Sequence, residues 1–175
     1  MSGAFPWRLP IIAAPMAGGP STPALVEAVG RAGGLGFVPG GYLSPAAFDE
    51  LLDHADAVGV PYGANLFHPT RQTGDPAAIA AYSRQLQPLA AEFGATLGDP
   101  IWSDDDYAQK LEVVARHRPA VVSITFGNPT AAEVDAIRSG CDALVAVTVT
   151  SAEEATDAAA VGADLLVVQG AEAGG

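Results

Sequence analysis

Short apolar runs alternate with amphipathic stretches along the whole chain. Residues 10–16 (PIIAAPM), 35–38 (LGFV), 61–67 (PYGANLF), 120–126 (AVVSITF), 143–149 (ALVAVTV) and 165–169 (LLVVQ) each read as a strand. Gly, Pro or polar turns punctuate them. Between them, apolar residues recur at helical spacing. Leu25, Val26 and Val29 follow a Ser21-Thr22-Pro23 start and precede Gly33-Gly34. Phe48, Leu51, Leu52 and Ala55 follow Ser44-Pro45. A hydroxyl residue before a proline is a strong helix opening, and glycine a common stop. A short helix is predicted over 130–139. Another runs from Ser151-Ala-Glu-Glu, a weak capping box, to Val161.

Residues 68–119 break this rhythm. Two helical patterns, 76–93 and 103–117, are joined by a Gly/Pro loop. The second opens on Ser103-Asp-Asp-Asp, whose charge suits a helix N-terminus.

The strands are continuously apolar rather than alternating, which marks a parallel sheet covered on both faces. Six β/α steps without a dinucleotide-binding fingerprint point to an α/β fold of the (β/α)8 TIM-barrel type, with about six of the eight units in this chain. Such barrels take about 250 residues; this chain has 175. The expectation is one partial barrel domain over 1–175, with a helical insert at about 70–118. The run into Gln169-Gly-Ala-Glu-Ala-Gly-Gly175 is expected to be an interrupted ligand-binding loop of a longer protein, whether an excerpt, a disrupted gene product or a deliberately shortened chain.

Composition narrows the partners. Hydrophobic residues make up 49% and charged residues 16%, so the chain is rich in core. The net charge is −12, with only eight Lys and Arg and no basic cluster. That argues against nucleic acid and against anionic membrane surfaces. Cys141 is the sole cysteine, which suits a reducing cytoplasm. No apolar run reaches the ~20 residues of a membrane span. The sequence leaves oligomeric state open, a homo-oligomer included.

In barrels of this type chemistry sits at the carboxyl ends of the strands. Those ends read Ala14-Pro-Met-Ala-Gly-Gly19, Pro39-Gly-Gly41, Asn65-Leu-Phe-His68, Ser123-Ile-Thr-Phe-Gly127, Thr148-Val-Thr150 and Gln169-Gly-Ala-Glu-Ala-Gly-Gly175. The set is rich in glycine, amides and hydroxyls and poor in charge. It suits a flat, uncharged, polar-edged ring.

These strand ends and their flanks carry a resemblance. PIIAAPMAGGPSTPALVEAVGRAGGLGFVPGGYLSP, GANLF, VSITFG and TVTSAEEATDAAAVGADLLVVQGAEAGG, in this order, resemble the FMN-dependent nitronate monooxygenases, formerly called 2-nitropropane dioxygenases. FMN-dependent enoyl-ACP reductases share parts of the pattern. The resemblance implies an FMN-binding oxidoreductase that oxidises alkyl nitronates or nitroalkanes with O2 to carbonyl compounds and nitrite. It implies that Ala14, Pro15, Met16 and Ala17 lie against the flavin ring, that Asn65 hydrogen-bonds it, and that Gln169 reaches its pyrimidine edge. Gly174 and Gly175 would let the backbone approach the cofactor. The family's loop continues AGGH, and that histidine, its catalytic base, would follow Gly175. The phosphate-binding turns after strands seven and eight would also lie beyond. No catalytic residue is therefore assigned within the chain, and the 175 residues alone are expected to be incomplete for catalysis.

Plainer readings stand beside these. A strand-end Asn such as Asn65 often caps a turn, and Met16 fills cores. Gln169 also suits a hydrogen bond inside the barrel, and strand propensity accounts for Thr148 and Thr150. His54 reads as a solvated outer-face residue, and His117 as a cation at a helix end. His68 alone among the histidines lies at a strand's carboxyl end, and it is not assigned as a base. No residues have metal-ligand spacing. The two competing functions are an FMN-dependent NAD(P)H reductase on the same barrel and a catalytically inactive truncated chain.

Overall fold

A computed structural model describes residues 5–69 and 74–173. The chain divides into two compact units, Met1–Pro69 with Asp104–Gly175, and Thr70–Ser103. The first unit holds β1 (Ile12–Ala13), α1 (Pro23–Ala32), β2 (Leu35–Pro39), α2 (Pro45–Val58) and β3 (Tyr62–Phe67). The second unit holds α3 (Pro76–Glu92). The first resumes with α4 (Tyr107–His117), β4 (Val121–Thr125), α5 (Ala131–Cys141), β5 (Leu144–Val149), α6 (Ala152–Ala160) and β6 (Leu165–Val168). A short 3-10 turn, Ala171–Ala173, follows.

The six strands form one sheet in the order β1-β2-β3-β4-β5-β6, every neighbouring pair parallel. A doubly wound sheet reverses its order at a switch point. This one never does, which is the winding of a (β/α)8 barrel wall, with six strands of it here. Each strand was legible as an apolar run. Only β1 is much shorter than expected: Ile12 and Ala13 pair with Leu35 and Gly36, and Pro10 and Pro15 flank them. Proline carries no N–H for a ladder bond.

Successive residues of each strand face opposite sides. One side, with Val38, Ala64, Leu66, Val122, Ile124, Val145 and Val147, packs with Val26, Phe48, Leu52, Val114, Val134 and Ile137 of the covering helices. The other carries Leu35, Phe37, Val121 and Ala146, joined by Trp7, Leu144 and Leu165. Toward the strands' carboxyl ends this second face turns polar, through Asn65, Ser123, Thr125, Thr148 and Gln169.

Helix starts follow local chemistry. The Thr22, Ser44 and Ser151 hydroxyls accept from the backbone N–H three residues on. At Ser151 the box is only half made, because the Glu154 carboxylate accepts from the Thr150 N–H and hydroxyl instead. The reciprocal box forms at Thr130 and Glu133. The predicted helix over 103–117 begins only at Tyr107. Asp105 and Asp106 adopt left-handed backbone (φ 57° and 51°), so the acidic run forms a turn rather than a first helical turn. In the second unit, Asp75 caps α3 by accepting from the Ala77 N–H, and Pro76 follows at its start.

His117 has partners the sequence did not reveal. Its ring nitrogens lie 2.6 Å from Asp56 Oδ2 and 2.8 Å from Asp49 Oδ1, tying α4 to α2. Asp56 also accepts from the Tyr62 hydroxyl at 2.7 Å. Burial disfavours the imidazolium, but the hydrogen bonds and charges of Asp56 and Asp49 outweigh it and raise the His117 pKa above its ordinary 6.5. A raised folded-state pKa gives stability that is complete below the unfolded value and lost as pH rises through the folded one. The resistance of the wild type to urea should therefore fall as pH climbs from about 6.5. The difference from His117→Phe should shrink over the same window. A difference independent of pH would show that the ring is not charged in the fold.

Among the described residues, no helix is long and apolar enough to cross a membrane.

Candidate functional site

The carboxyl ends of the strands surround a cavity of about 710 Å³. Ala14, Pro15, Met16 and Ala17 after β1 line it, with Asn65 of β3 and Gln169 after β6. Every predicted site residue that lies in the described chain is thus in one place. Gly174 and Gly175 lie outside the described residues. The cavity is completed by Tyr42, Phe67, Thr125, Phe126, Thr148, Val167, Val168 and Ala173. Among the described residues its lining contains no Asp, Glu, Lys, Arg, His or Cys, so the cavity offers amides, hydroxyls and apolar surface.

The first turn is held from behind. Ser21, almost wholly buried, accepts from the Met16 N–H at 3.0 Å and donates to the Ala14 carbonyl at 3.2 Å. The sequence offers Ser21 or Thr22 as the cap of α1; Thr22 fills that role and leaves Ser21 free to hold this turn. Met16 itself is exposed to the cavity.

Asn65 is only 2% exposed. Its Nδ2 donates to the Ser123 carbonyl (3.2 Å), the Ser123 hydroxyl (2.8 Å) and the Thr125 hydroxyl (3.0 Å). Thr125 Oγ1 is in turn 3.4 Å from Thr148 Oγ1. A chain of polar side chains therefore crosses β3, β4 and β5 at one level. The turn-capping reading of Asn65 gives way to an inter-strand tie, because its partners are about 60 residues away and invisible to local sequence. At Gln169 the backbone N–H donates to the Val149 carbonyl at 3.0 Å, which fixes its position beside β5.

An aromatic wall flanks this network. The Phe67 ring at the end of β3 meets Tyr42 edge to face at 5.3 Å and Phe126 edge to face at 4.8 Å. Tyr42 and Phe126 both hold left-handed backbone, φ 66° and 72°. That conformation costs an L-residue ~1–2 kcal/mol, and non-glycine residues that keep it cluster at functional sites. The Tyr42 backbone is pinned: its N–H donates to Asp105 Oδ1 at 3.0 Å. Asp105 Oδ2 sits 2.7 Å from Lys110 Nζ, on a side chain 1% exposed. The acidic run read as helix-terminal charge thus serves, at Asp105, as partner to a buried lysine. A bulky residue directly after Gly40-Gly41 is the one sequence signal that pointed here. Gly41 itself has no room for a side chain, since a Cβ would lie 2.2 Å from the Phe67 ring.

His68 does not line the cavity. Its ring packs on Tyr107 at 5.2 Å, and Nε2 lies 3.7 Å from Glu133 Oε1. Burial raises the Glu133 pKa, but the Thr130 hydrogen bonds, His68 and Tyr107 overcome this and hold the carboxyl below its usual range. Burial, with Glu133 nearby, pushes the Tyr107 phenol well up. The group is structural, joining α4 to the capping box of α5. His54, by contrast, reaches only the Glu50 carbonyl one turn away.

A second cavity of about 470 Å³ shares Thr125, Phe126, Thr148 and Gln169 with the first and adds Gly127, Asn128, Thr150, Glu154, Gly170 and Ala171. The Thr150 N–H and hydroxyl hold the Glu154 carboxyl below its ordinary pKa. Among the described residues, no cluster of His, Cys, Asp or Glu is arranged to hold a metal ion.

A family profile described as nitronate monooxygenase matches residues 5–175. The chain is 39% identical over 176 residues to the nitronate monooxygenase of Pseudomonas aeruginosa, covering 95% of this chain and 48% of that protein. It is 32% identical over 173 residues to the probable nitronate monooxygenase of Bacillus subtilis, covering 98% and 49%. Among solved structures, that of nitroalkane oxidase from Streptomyces ansochromogenes superposes with a TM-score of 0.88 at 38% identity, over 95% of this chain and 47% of that one. FabK from Thermotoga maritima superposes with a TM-score of 0.67 at 21% identity, over 94% and 41%, a likeness of fold alone. The chain spans about half the length of the curated relatives it matches. With the profile match extending over nearly all of its residues, the chain belongs to the nitronate monooxygenase family.

Proposed function

We propose that this chain forms part of an FMN-dependent nitronate monooxygenase, which oxidises alkyl nitronates or nitroalkanes with O2 to carbonyl compounds and nitrite in the cytoplasm. The observation that carries this reading is the convergence of Ala14–Ala17, Asn65 and Gln169 on one uncharged cavity, in a chain of this family. The cavity fits the cofactor in size, since small-molecule sites run about 300–1,000 Å³. It fits in chemistry too. A flavin ring has apolar faces and a rim of donors and acceptors, and the cavity supplies Met16 and valine surface beside amides and hydroxyls.

In this reading the Ala14–Ala17 turn, held by Ser21, supports one face of the ring. Gln169 meets its polar rim with an amide able both to donate and to accept. Asn65 acts at the same level while keeping Ser123 and Thr125 in place. Bound FMN would supply the electron acceptor. The protein's residues orient the ring and keep water from its face. A base for nitroalkane substrates is not assigned to any of the described residues. Nitronates, already deprotonated, need none.

The test is direct. The full gene product, loaded with FMN, should consume O2 and release nitrite when given an alkyl nitronate. No oxygen uptake with any alkyl nitronate would overturn the reading. Gln169→Ala should bind FMN roughly 2- to 12-fold more weakly, the worth of one neutral hydrogen bond, with thermal unfolding unchanged. Equal flavin content after dialysis would remove Gln169 from the cofactor site.

A further inference from the structure

Three rings on one wall of the cavity call for an explanation that folding does not provide. Tyr42 and Phe126 hold left-handed backbone, and in this chain, about half the length of its relatives, their rings are 79% and 50% exposed. Both rings are turned to the same Phe67 and line the same cavity. The fold also commits a buried ion pair to this corner, since Lys110 holds Asp105 and Asp105 holds the Tyr42 N–H. Lys110 thereby holds in place the carboxylate that accepts from the Tyr42 N–H. The amides and hydroxyls of Asn65, Thr125, Thr148 and Gln169 share the cavity with these rings. In the FMN reading those amides face the flavin, and the three rings remain as apolar surface for the hydrocarbon body of a second ligand.

We propose that Tyr42, Phe67 and Phe126 form the surface that receives the hydrocarbon part of the substrate, and that the Lys110–Asp105 pair positions this surface by fixing the Tyr42 backbone. The proposal deepens the nitronate reading and rests on it. It commits the site to nitronates with extended alkyl or aryl groups over the smallest members of the class. Lys110 and Asp105 are positioning residues: Asp105 touches the Tyr42 main chain, Lys110 touches Asp105, and neither lines the cavity.

Carboxylates make a suitable probe, because a carboxylate is a planar two-oxygen anion like a nitronate but is not turned over. Calorimetric titration of the full gene product, with FMN supplied, would use acetate, butanoate, hexanoate and octanoate. A buried methylene tightens binding about fourfold. The wild type should gain roughly two- to fourfold per methylene. Tyr42→Ala and Phe126→Ala should bring that gain close to one while leaving acetate affinity and flavin content unchanged. Tyr42→Phe should restore it, since the ring and not the hydroxyl is used. The double variant Asp105→Leu with Lys110→Met removes both charges and the acceptor of the Tyr42 N–H, and so leaves no buried orphan charge. It should reduce the gain per methylene and leave acetate affinity alone, a split that a merely structural role would not produce.

An unchanged gain in Tyr42→Ala and Phe126→Ala would overturn the proposal. So would loss of flavin in those variants, which would assign the rings to the cofactor. Absence of carboxylate binding to the wild type, or of any dependence on chain length, would overturn it as well. Failure of the function reading looks different: no oxygen uptake with nitronates, while the methylene series is intact.

Discussion

Asp105→Ala is expected to cost about 3–5 kcal/mol of folding stability. Lys110 lies on α4 with its side chain 1% exposed, and its ammonium is 2.7 Å from Asp105. Removing the carboxylate leaves a cation in the interior with no opposite charge beside it. It also frees the Tyr42 N–H, and with it a residue held at φ 66°. Urea unfolding at neutral pH measures the loss. Lys110→Met alone should cost less, because Asp105 retains some access to water and an unpaired carboxylate there can be hydrated. A loss below about 1 kcal/mol in Asp105→Ala, the range of exposed pairs, would mean that water reaches Lys110 and that the pair does not hold this corner.

Gly36→Ala is expected to destabilise by about 1–3 kcal/mol or more, although it adds one methyl group. Gly36 lies in β2 where α1 crosses closest. A Cβ there would sit 2.6 Å from Val26 Cα and 3.2 Å from both Val26 Cβ and the Val26 carbonyl. The obstacle is main chain, which cannot rotate aside, so the whole of α1 must lift from the sheet. Val26 is itself part of the buried cluster between sheet and helices. Gly36→Ala should therefore shift the thermal midpoint downward, and amide exchange in α1 should quicken with it. An unchanged midpoint would show that α1 tolerates displacement.

The elements were legible where physics is local. Buried parallel strands need unbroken apolar runs, and 35–38, 61–67, 120–126, 143–149 and 165–169 supply them. Helix starts at Pro23 and Pro45 were written in Thr22-Pro23 and Ser44-Pro45. Residues fixed by distant partners were not legible. Nothing near Asn65 in sequence announces Ser123 or Thr125, and nothing near His117 announces Asp49 and Asp56. The start of α4 was misjudged for the same reason, since Asp105 turns back toward Lys110 and Tyr42 and leaves the helix to begin at Tyr107. Left-handed aromatic residues carry no periodic signature at all, so Tyr42 drew no reading and Phe126 was read as an ordinary strand-end residue. The position of the site followed from strand polarity, and its identity from the family resemblance.

The inward side of the sheet changes character along its length, from Leu35, Phe37, Val121 and Ala146 at the strand roots to Asn65, Thr125, Thr148 and Gln169 at the tips. Cohesion and selectivity are thereby delegated to separate storeys of one wall. A mutational library confined to the upper storey can retune what is recognised while the lower one goes on assembling the chain. Change at the roots forfeits the scaffold before any new preference can be measured.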